Sequence, residues 1–264
     1  AGSDSGGGAG IQADLRTFAF FDVFGTVALT AVTAQNPGGV ADVHALPPSS
    51  VTAQVQAVLS AIAVGAVKTG MLFSADIISA VAGVLGTGHA LPLVVDPVMV
   101  ATSGARLLRE DAVAALCREL LPLAAVVTPN LAEAEVLCGR SLGTLDEVCA
   151  AAAELAGLYQ AAIVIKGGHR LGRSAVDVVA TPGQPCRQLS APWADARSTH
   201  GTGCSLSAAI AACLACGCGV TEAVRRAKAF VLGSLRNCVR IGPDCWAMTN
   251  PGALPLEEIG ENTR

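Results

Sequence analysis

The segment Leu91–Asp96, which reads LPLVVD, decides the fold class of this chain. Its first five residues are uncharged, and an acid ends the run just before Pro97. An uninterrupted apolar run is typical of a strand that is buried on both faces, as in a parallel sheet. Ala124–Thr128 (AAVVT) and Ala161–Ile165 (AAIVI) repeat the pattern. Since helical segments separate these runs, we predict an α/β fold in which helices cover both faces of a mostly parallel central sheet.

The rest of the chain continues this alternation. Shorter strands are predicted at residues 28–33, 66–69, 175–180 and 188–191. The spacing of apolar residues predicts helices at 50–62, 75–85, 145–158, 204–216 and 221–239, with two more near 110–121 and after residue 130. We expect one domain over residues 1–240 and a tail over 241–264 that is rich in Pro, Gly and acids. Because the chain opens directly on a glycine-rich loop, we also expect a strand upstream of Ala1.

Composition limits the partners. The chain has 264 residues, of which 14% are charged, and a formal net charge of −4. It shows no basic stripe, so we expect no nucleic-acid partner. The uncharged run 201–221 is long enough to cross a bilayer. However, it consists mostly of small residues, and a helix packed closely against the sheet explains it better, so we expect no membrane partner.

Ten cysteines are present, and we expect them to be reduced. A chain of this length does not need disulfides, and we see no secretory signal, so we expect a cytoplasmic protein. Cys213, Cys216 and Cys218 resemble a metal cluster, but no histidine or further cysteine pair stands at ligand spacing. A thiol-redox or metal protein that uses these three residues remains an alternative.

Polar residues stand where the predicted buried strands end. Lys68, Asp96, Asn130 and Lys166 each close or follow such a strand. Ligands of open α/β sheets bind beyond the carboxyl ends of the strands, so this pattern indicates an enzyme or a small-ligand binder. Asn130 and Glu133 have two interpretations. They form a helix N-cap with its capping box, or they contact phosphate and, through water, magnesium.

The stretch STHGTGC, residues 198–204, places glycines directly before a predicted helix. Free N–H groups and the helix dipole make such a helix start an anion site. The same position lowers the pKa of a thiol, so we expect Cys204 to be reactive; a buried cysteine that acts as a small hydrophobe is the alternative. A second glycine-rich loop, GSDSGGGAGIQAD at residues 2–14, matches neither a dinucleotide fingerprint nor a P-loop.

Gln35 follows an apolar run and precedes a turn. Its primary amide donates and accepts side by side, which suits the edge of an aminopyrimidine, although a hydrogen bond to backbone is the ordinary alternative. Met71 and Val98 are more typical of core positions than of pocket walls.

Seven motifs occur together in one order: AGSDSGGGAGIQADLRTF, ALTAVTAQN, VKTGML, VVDPVMVATSG, VVTPNLAEAE, IKGGH and THGTGCSLSAA. Together they resemble the hydroxymethylpyrimidine/phosphomethylpyrimidine kinases of thiamine synthesis, which belong to the ribokinase-like superfamily. The resemblance implies a three-layer α/β/α fold with a mainly parallel sheet, a homodimer, and the cofactors ATP and Mg²⁺. The implied reaction is phosphorylation of 4-amino-5-hydroxymethyl-2-methylpyrimidine and then of its monophosphate.

The resemblance also assigns roles to individual residues. The catalytic set is Gly201, Thr202 and Gly203 as an anion hole, Lys166, and Cys204 at a place where many relatives carry an aspartate base. Asn130, Lys166 and Thr202 would contact ATP, and Asp96 and Glu133 would hold Mg²⁺. The pyrimidine pocket would be lined by Gly2, Asp14, Gln35, Met71 and Val98. The chain departs from the family at Gly6, where serine is usual, which removes a possible hydroxyl contact.

Two alternative functions share this fold. A pyridoxal kinase of the same superfamily is the nearest, and Gln35 favours the aminopyrimidine over it. A non-catalytic pyrimidine-binding protein is the other, and the intact set Asp96, Glu133, Lys166 and Cys204 argues against it.

Overall fold

Strands and helices alternate along most of the chain, for which a computed structural model describes residues 1–87, 91–100, 107–109, 111–167 and 174–263. In chain order the elements are β1 (Ser3–Asp4), α1 (Gly10–Phe20), β2 (Ala31–Asn36), β3 (Gly39–Ala45), α2 (Pro48–Ala61), β4 (Val67–Thr69), α3 (Ala75–Leu85), β5 (Leu93–Val95), α4 (Ala112–Ala115), β6 (Val126–Val127), α5 (Leu131–Cys138), α6 (Leu145–Tyr159), β7 (Ala162–Ile165), β8 (Ala175–Ala180), β9 (Arg187–Ala191), α7 (Thr202–Ala215), α8 (Val220–Arg236), β10 (Cys238–Gly242), β11 (Cys245–Met248) and β12 (Gly260–Thr263).

The described part of the central sheet has seven strands in the order β12–β9–β8–β7–β6–β5–β4. Strands β4 to β7 pair in parallel, whereas β8, β9 and β12 each pair antiparallel with the neighbour before them. Five strands, β4, β5, β6, β7 and β9, therefore run in one direction, and the predicted mostly parallel sheet is confirmed. The segment 241–264, which we expected to be a tail, supplies the edge strand β12; the domain boundary at 240 stays a prediction.

Alternate residues of the parallel strands face opposite helix layers. One buried cluster contains Val94, Val126 and Val164 with Ile210 of α7 and Phe230 of α8. The other contains their strand neighbours Val95, Val127 and Ile163 with Ile78 of α3 and Leu155 of α6. Helices thus cover both faces of the sheet, as the near-continuous apolar runs predict, and the three-layer arrangement is confirmed.

A separate three-stranded sheet lies beside the glycine-rich loop. Strand β1 pairs in parallel with β2, and β2 forms an antiparallel hairpin with β3. Because β2 runs to Asn36, beyond the predicted end at residue 33, Gln35 lies inside the strand. The sequence pattern did not predict β3, since none of its side chains is buried and it has no apolar run.

Two helices differ from their predictions. The helix expected near 110–121 is α-helical only over Ala112–Ala115, and it continues as a π-helical turn and then a 3-10 turn over Leu121–Leu123. Pro122 lacks an N–H group, so the α-helical hydrogen-bond pattern cannot continue through it; Glu110 lies outside the described residues. The last helix ends at Arg236 rather than at residue 239, because β10 pairs with β11 in a hairpin.

No helix in the described ranges has both the length and the apolar character needed to cross a membrane. The uncharged run 201–221 instead forms α7, most of whose side chains are buried against the sheet.

Strand β4 lies at one edge of the central sheet, beside an apolar cavity of about 410 Å³. Side chains from α2, such as Val55 and Leu59, and from α7, such as Ala211 and Ala215, line this cavity.

Phe230 provides a test of the core. Its side chain is 2% exposed, and its ring centroid lies 4.9 Å from that of Phe20 and 5.6 Å from that of Phe21. Phe230→Ala is expected to lower the free energy of unfolding by about 3–5 kcal/mol, measured by urea denaturation. Phe24→Ala is the matched control, because Phe24 is 86% exposed, and it should change that free energy by less than about 0.5 kcal/mol. Equal effects of the two substitutions would contradict the described packing.

Candidate active site

The carboxyl ends of the parallel strands meet at one edge of the sheet and carry the polar residues that the sequence pattern singled out. Lys68 lies in β4, Asp96 directly follows β5, and Lys166 directly follows β7. Asn130 and Lys166 pair as neighbouring backbone positions, and the N–H of Lys166 donates to the carbonyl of Pro129 at 2.9 Å. The strand order therefore brings together the residues that follow β5, β6 and β7, as expected.

Lys166 and Asp96 form an ion pair against the first turn of α7. The Nζ atom of Lys166 donates to Oδ1 of Asp96 at 2.8 Å, and the hydroxyl of Ser207 donates to Oδ2 at 3.3 Å. A Cβ atom at Gly203 would lie 3.3 Å from Nζ of Lys166, so this amine touches the helix start. Burial opposes the charge on Lys166, but Asp96 and Glu133 outweigh it and raise the pKa of Lys166. The pair thus holds a stable positive charge beside the N-terminus of α7.

Glu133 and Asn130 form the capping box of α5. The side chain of Asn130 accepts from the N–H of Glu133 at 2.9 Å, and Oε2 of Glu133 accepts from the N–H of Asn130 at 2.8 Å. The other carboxylate oxygen, Oε1, accepts from the N–H of Met99 at 3.1 Å. Burial, opposed by Lys166, raises the pKa of Glu133. The capping interpretation is confirmed, and any role toward phosphate or metal would be added to it.

The turn at Gly201 joins the two glycine-rich loops. Gly201 has a φ of 86°, in the left-handed region, and a Cβ atom there would lie 1.9 Å from the carbonyl oxygen of Gly8. No side chain fits at such a distance. The helix geometry leaves the first-turn amides of α7 without intrahelical acceptors. The amide of Thr202 turns back to the carbonyl of Thr199 at 3.3 Å, whereas those of Gly203 and Cys204 have no backbone acceptor among the described residues. The anion hole expected at Gly201, Thr202 and Gly203 stays a prediction.

Cys204 is partly buried in this first turn. We expected the helix start to lower the pKa of its thiol, and this expectation is wrong. Burial raises the pKa of Cys204; the ammonium of Lys68 opposes this, while the carboxylates of Asp14 and Asp96 add to it. Local sequence showed the helix start but not the burial, which dominates.

Lys68 and Asp14 form a second buried ion pair next to Cys204. The Nζ atom of Lys68 donates to both carboxylate oxygens of Asp14, at 2.8 and 3.0 Å. The two side chains are 2% and 6% exposed. Asp14, a candidate for the pyrimidine pocket, therefore has both oxygens on Lys68 and little surface to offer a ligand. The sequence pattern placed Lys68 at a strand end but did not predict its ion pair with Asp14.

The remaining pocket candidates lie near one another. Gly2 packs against the side chain of Met71, which is 8% exposed. Met71 belongs to a small buried cluster against which Val98 packs. These residues are core positions, as their type suggested, and they stand beside the glycine-rich loop. Gln35 is fixed next to the same loop, since its N–H donates to Oγ of Ser5 at 2.8 Å.

Asp4 and His200 are two site residues that sequence reasoning did not find. The carboxylate of Asp4 accepts from the amides of Gly6, Gly8 and Ala9 at 2.8–3.0 Å, and it lies 2.9 Å from Nε2 of His200. Burial alone would raise the pKa of Asp4, but these hydrogen bonds outweigh it and lower that pKa. An Asp before a run of glycines is a turn signal that could have identified Asp4. Nothing local to His200 predicts a partner so distant in the chain.

The other motif residues add little. Gly168 and His169 of IKGGH, and residues 101–104 of the motif around Asp96, lie outside the described ranges. Within those ranges no group of three or more His, Cys, Asp or Glu side chains could hold a metal ion. Cys213 is buried while Cys216 is exposed, so the structure gives no support to a metal cluster at Cys213, Cys216 and Cys218.

Comparisons with known proteins agree with one another. The family model described as phosphomethylpyrimidine kinase matches residues 4–249. A hydroxymethylpyrimidine/phosphomethylpyrimidine kinase of Rhizobium meliloti is 49% identical over 243 residues, which cover 91% of this chain and 90% of that protein. The thiamine biosynthesis bifunctional protein ThiED of Geobacter sulfurreducens is 45% identical, covers 92% of this chain, and is matched over about half its own length.

A solved structure supports the fold. The pyridoxal kinase of Staphylococcus aureus in complex with AMP-PCP and pyridoxal superposes with a TM-score of 0.86 at 34% identity, covering 100% of this chain and 97% of that one. The predicted ribokinase-like fold is thereby confirmed. Together with the family match over nearly the whole chain, it leads to one conclusion: the chain belongs to the phosphomethylpyrimidine kinase family, whose members are phosphotransferases.

Proposed function

We propose that this chain transfers the γ-phosphoryl group of ATP to the hydroxymethyl group of 4-amino-5-hydroxymethyl-2-methylpyrimidine, and then to the resulting monophosphate. The observation that carries the proposal is the contact of the Lys166–Asp96 pair with the first turn of α7, directly beside Cys204. Phosphoryl transfer to an alcohol requires groups that stabilise the charge of the transferring phosphoryl group. This site has a fixed cation and a helix start for that task, and a candidate proton acceptor beside them. The names of the relatives support the choice of pyrimidine, and the AMP-PCP complex supports the choice of ATP.

Charge stabilisation is the main task of these residues. The transition state of phosphoryl transfer is loose, and its charge spreads over the transferring oxygens. The amides of Gly203 and Cys204 would donate to those oxygens, and the dipole of α7 adds to their effect. Lys166 would share its ammonium between Asp96 and the incoming phosphate. Thr202, in the first turn of α7, and Asn130, next to Lys166, would contact the nucleotide.

The carboxylates fit magnesium as partial ligands. Mg²⁺ prefers oxygen, keeps several waters, and usually binds through one or two carboxylates together with substrate phosphates. Each oxygen of Asp96 and of Glu133 already accepts one hydrogen bond from the protein and keeps a free lone pair. Asp96 and Glu133 would therefore hold Mg²⁺ largely through water and phosphate. The ion, when bound, neutralises phosphate charge.

Cys204 would accept the proton of the substrate hydroxyl. Burial raises the pKa of this thiol, so the thiolate is scarce near neutral pH, and Lys68 and the N–H of Gly10 favour the charged form. A thiolate with a raised pKa is also a stronger base. Because the transition state is loose, the proton leaves late, and the acceptor is needed only at that stage.

Gln35 would choose the substrate. Its backbone is held by Ser5, and its side-chain oxygen accepts from the hydroxyl of Thr33 at 3.1 Å, which leaves the amide group in place at the glycine-rich loop. An amide in a fixed position can pair with the amine and ring nitrogen of an aminopyrimidine. Pyridoxal lacks that amine, and for this reason the pyridoxal kinase is the second candidate. We further propose a cytoplasmic homodimer, on the resemblance alone.

Parallel assays with ATP and hydroxymethylpyrimidine, its monophosphate or pyridoxal test this substrate choice. Both pyrimidines should give a higher kcat/KM than pyridoxal. Gln35→Ala should lower kcat/KM for the pyrimidines about tenfold, the effect of one lost hydrogen bond, and leave that for pyridoxal nearly unchanged. Gln56→Ala, on the exposed face of α2, is the matched control. Preference for pyridoxal would favour the second candidate, and a lack of ATP turnover with any substrate would support a binding protein.

Replacement of Cys204 tests the proton acceptor. Cys204→Ala should lower kcat by roughly 10²-fold or more, as for other general bases. In the unmodified enzyme kcat should rise with pH up to and beyond about 8.5, the ordinary thiol value, because the pKa of Cys204 is raised, and the variant should lose this rise. Cys213→Ala, a buried cysteine of the same helix, is the control. A fully active Cys204→Ala enzyme with unchanged substrate affinity would remove Cys204 from the mechanism.

A further inference from the structure

A third buried ion pair, Lys228–Asp177, lies on the face of the sheet that α8 covers. The Nζ atom of Lys228 on α8 donates to Oδ2 of Asp177 on β8 at 2.8 Å, and the two side chains are 6% and 9% exposed. Burying two charges costs desolvation free energy, and the attraction between the charges often does not compensate for this cost. An apolar pair of similar volume would pack there at least as well, so stability alone does not account for this arrangement.

The second oxygen of Asp177 has a different partner. The N–H of Gly167 donates to Oδ1 of Asp177 at 2.8 Å. Gly167 packs directly on β8, since a Cβ atom there would lie 1.5 Å from the carbonyl oxygen of Val176. Asp177 therefore ties the residue after Lys166 to the neighbouring strand.

Two consecutive amides fix the backbone at Lys166 from opposite sides. Its own N–H donates to the carbonyl of Pro129, toward β6, and the next N–H donates to Asp177, toward β8. From this fixed backbone position the side chain of Lys166 extends to Asp96, with Nζ 2.8 Å from Oδ1, and ends beside Gly203. In enzymes a displacement of about 1 Å at such a group can lower the rate 10²-fold.

We propose that Asp177 is a positioning residue for Lys166, and that Lys228 keeps the side chain of Asp177 aimed at the amide of Gly167. Asp177 touches neither substrate nor nucleotide and acts only through the backbone at residues 166–167. The inference rests on the proposed function, because it takes Lys166 as a ligand of the transferring phosphate.

A pair of double variants separates the hydrogen bond from the charges. Asp177→Leu/Lys228→Met fills the space with apolar atoms and removes the acceptor for Gly167, while Asp177→Asn/Lys228→Gln is also uncharged but keeps a side-chain oxygen there. Neither variant leaves an unpaired buried charge, so both should fold. The Leu/Met variant should lose at least about tenfold in kcat/KM for ATP, and the Asn/Gln variant should retain most of it, with KM for the pyrimidine nearly unchanged in both.

The same variants in a Lys166→Ala background show whether the effect passes through Lys166. If Asp177 only positions this lysine, the Leu/Met change should have no further effect on kcat/KM for ATP once the lysine side chain is gone. Val148→Ala, at a buried α6 position on the other face of the sheet from α8, controls for loss of stability and should leave KM for ATP unchanged.

The outcomes separate the two proposals. Equal kcat/KM in the Leu/Met and Asn/Gln variants, or an equal loss with and without Lys166, would overturn the positioning role while the proposed function stands. Full kcat/KM for ATP in Lys166→Ala alone would overturn both the role of Lys166 and this inference.

Discussion

The ion pair of Lys166 with Asp96, at 2.8 Å and beside Gly203, is the interaction on which the rest of the site depends. The ammonium of Lys166 lies beside the first-turn amides of α7. An anion bound there would interact with the ammonium and with those amides. Asp96 keeps the lysine charged and aimed, and Ser207 holds the other oxygen of Asp96. The sheet supplies the precision, because the residues concerned leave adjacent strands at the same edge. Under the proposed function, a ligand phosphate would complete an arrangement of charges that the fold already holds in place.

A second constraint is the meeting of the two glycine-rich loops. Gly201 approaches the backbone of Gly8 so closely that no side chain fits between the two loops. The carboxylate of Asp4 accepts hydrogen bonds from three amides of the first loop and also contacts His200 of the second loop. The start of α7, with Cys204, is therefore locked to the loop beside Gln35. The proposed phosphate site and the proposed substrate pocket would thus adjoin each other, although the two loops are far apart in the sequence.

The sequence predicted those features that have a local signature. Apolar runs that end in a polar residue located β5, β6 and β7 and placed Asp96, Asn130 and Lys166 at one edge, and the spacing of Asn130 and Glu133 predicted the capping box. The ion pairs Lys68–Asp14 and Lys228–Asp177 join distant segments and have no local signal. The pKa of Cys204 was predicted in the wrong direction, because a motif shows the helix start but not how much protein covers the thiol. Strand β3 was not predicted for a related reason: none of its side chains is fully buried, so the sequence has no apolar pattern there.

The most direct test of the account is a single-turnover measurement of γ-phosphoryl transfer from ATP to hydroxymethylpyrimidine, made with the unmodified enzyme and with Lys166→Met. The account predicts transfer by the unmodified enzyme and a rate about 10²-fold lower in the variant, a loss typical for removal of one charge-stabilising group. Because Lys166→Met leaves the buried carboxylate of Asp96 without its cation, the variant should lose stability, and transfer is therefore measured well below its melting temperature. Equal transfer rates in the two proteins, or no transfer by the unmodified enzyme, would contradict it.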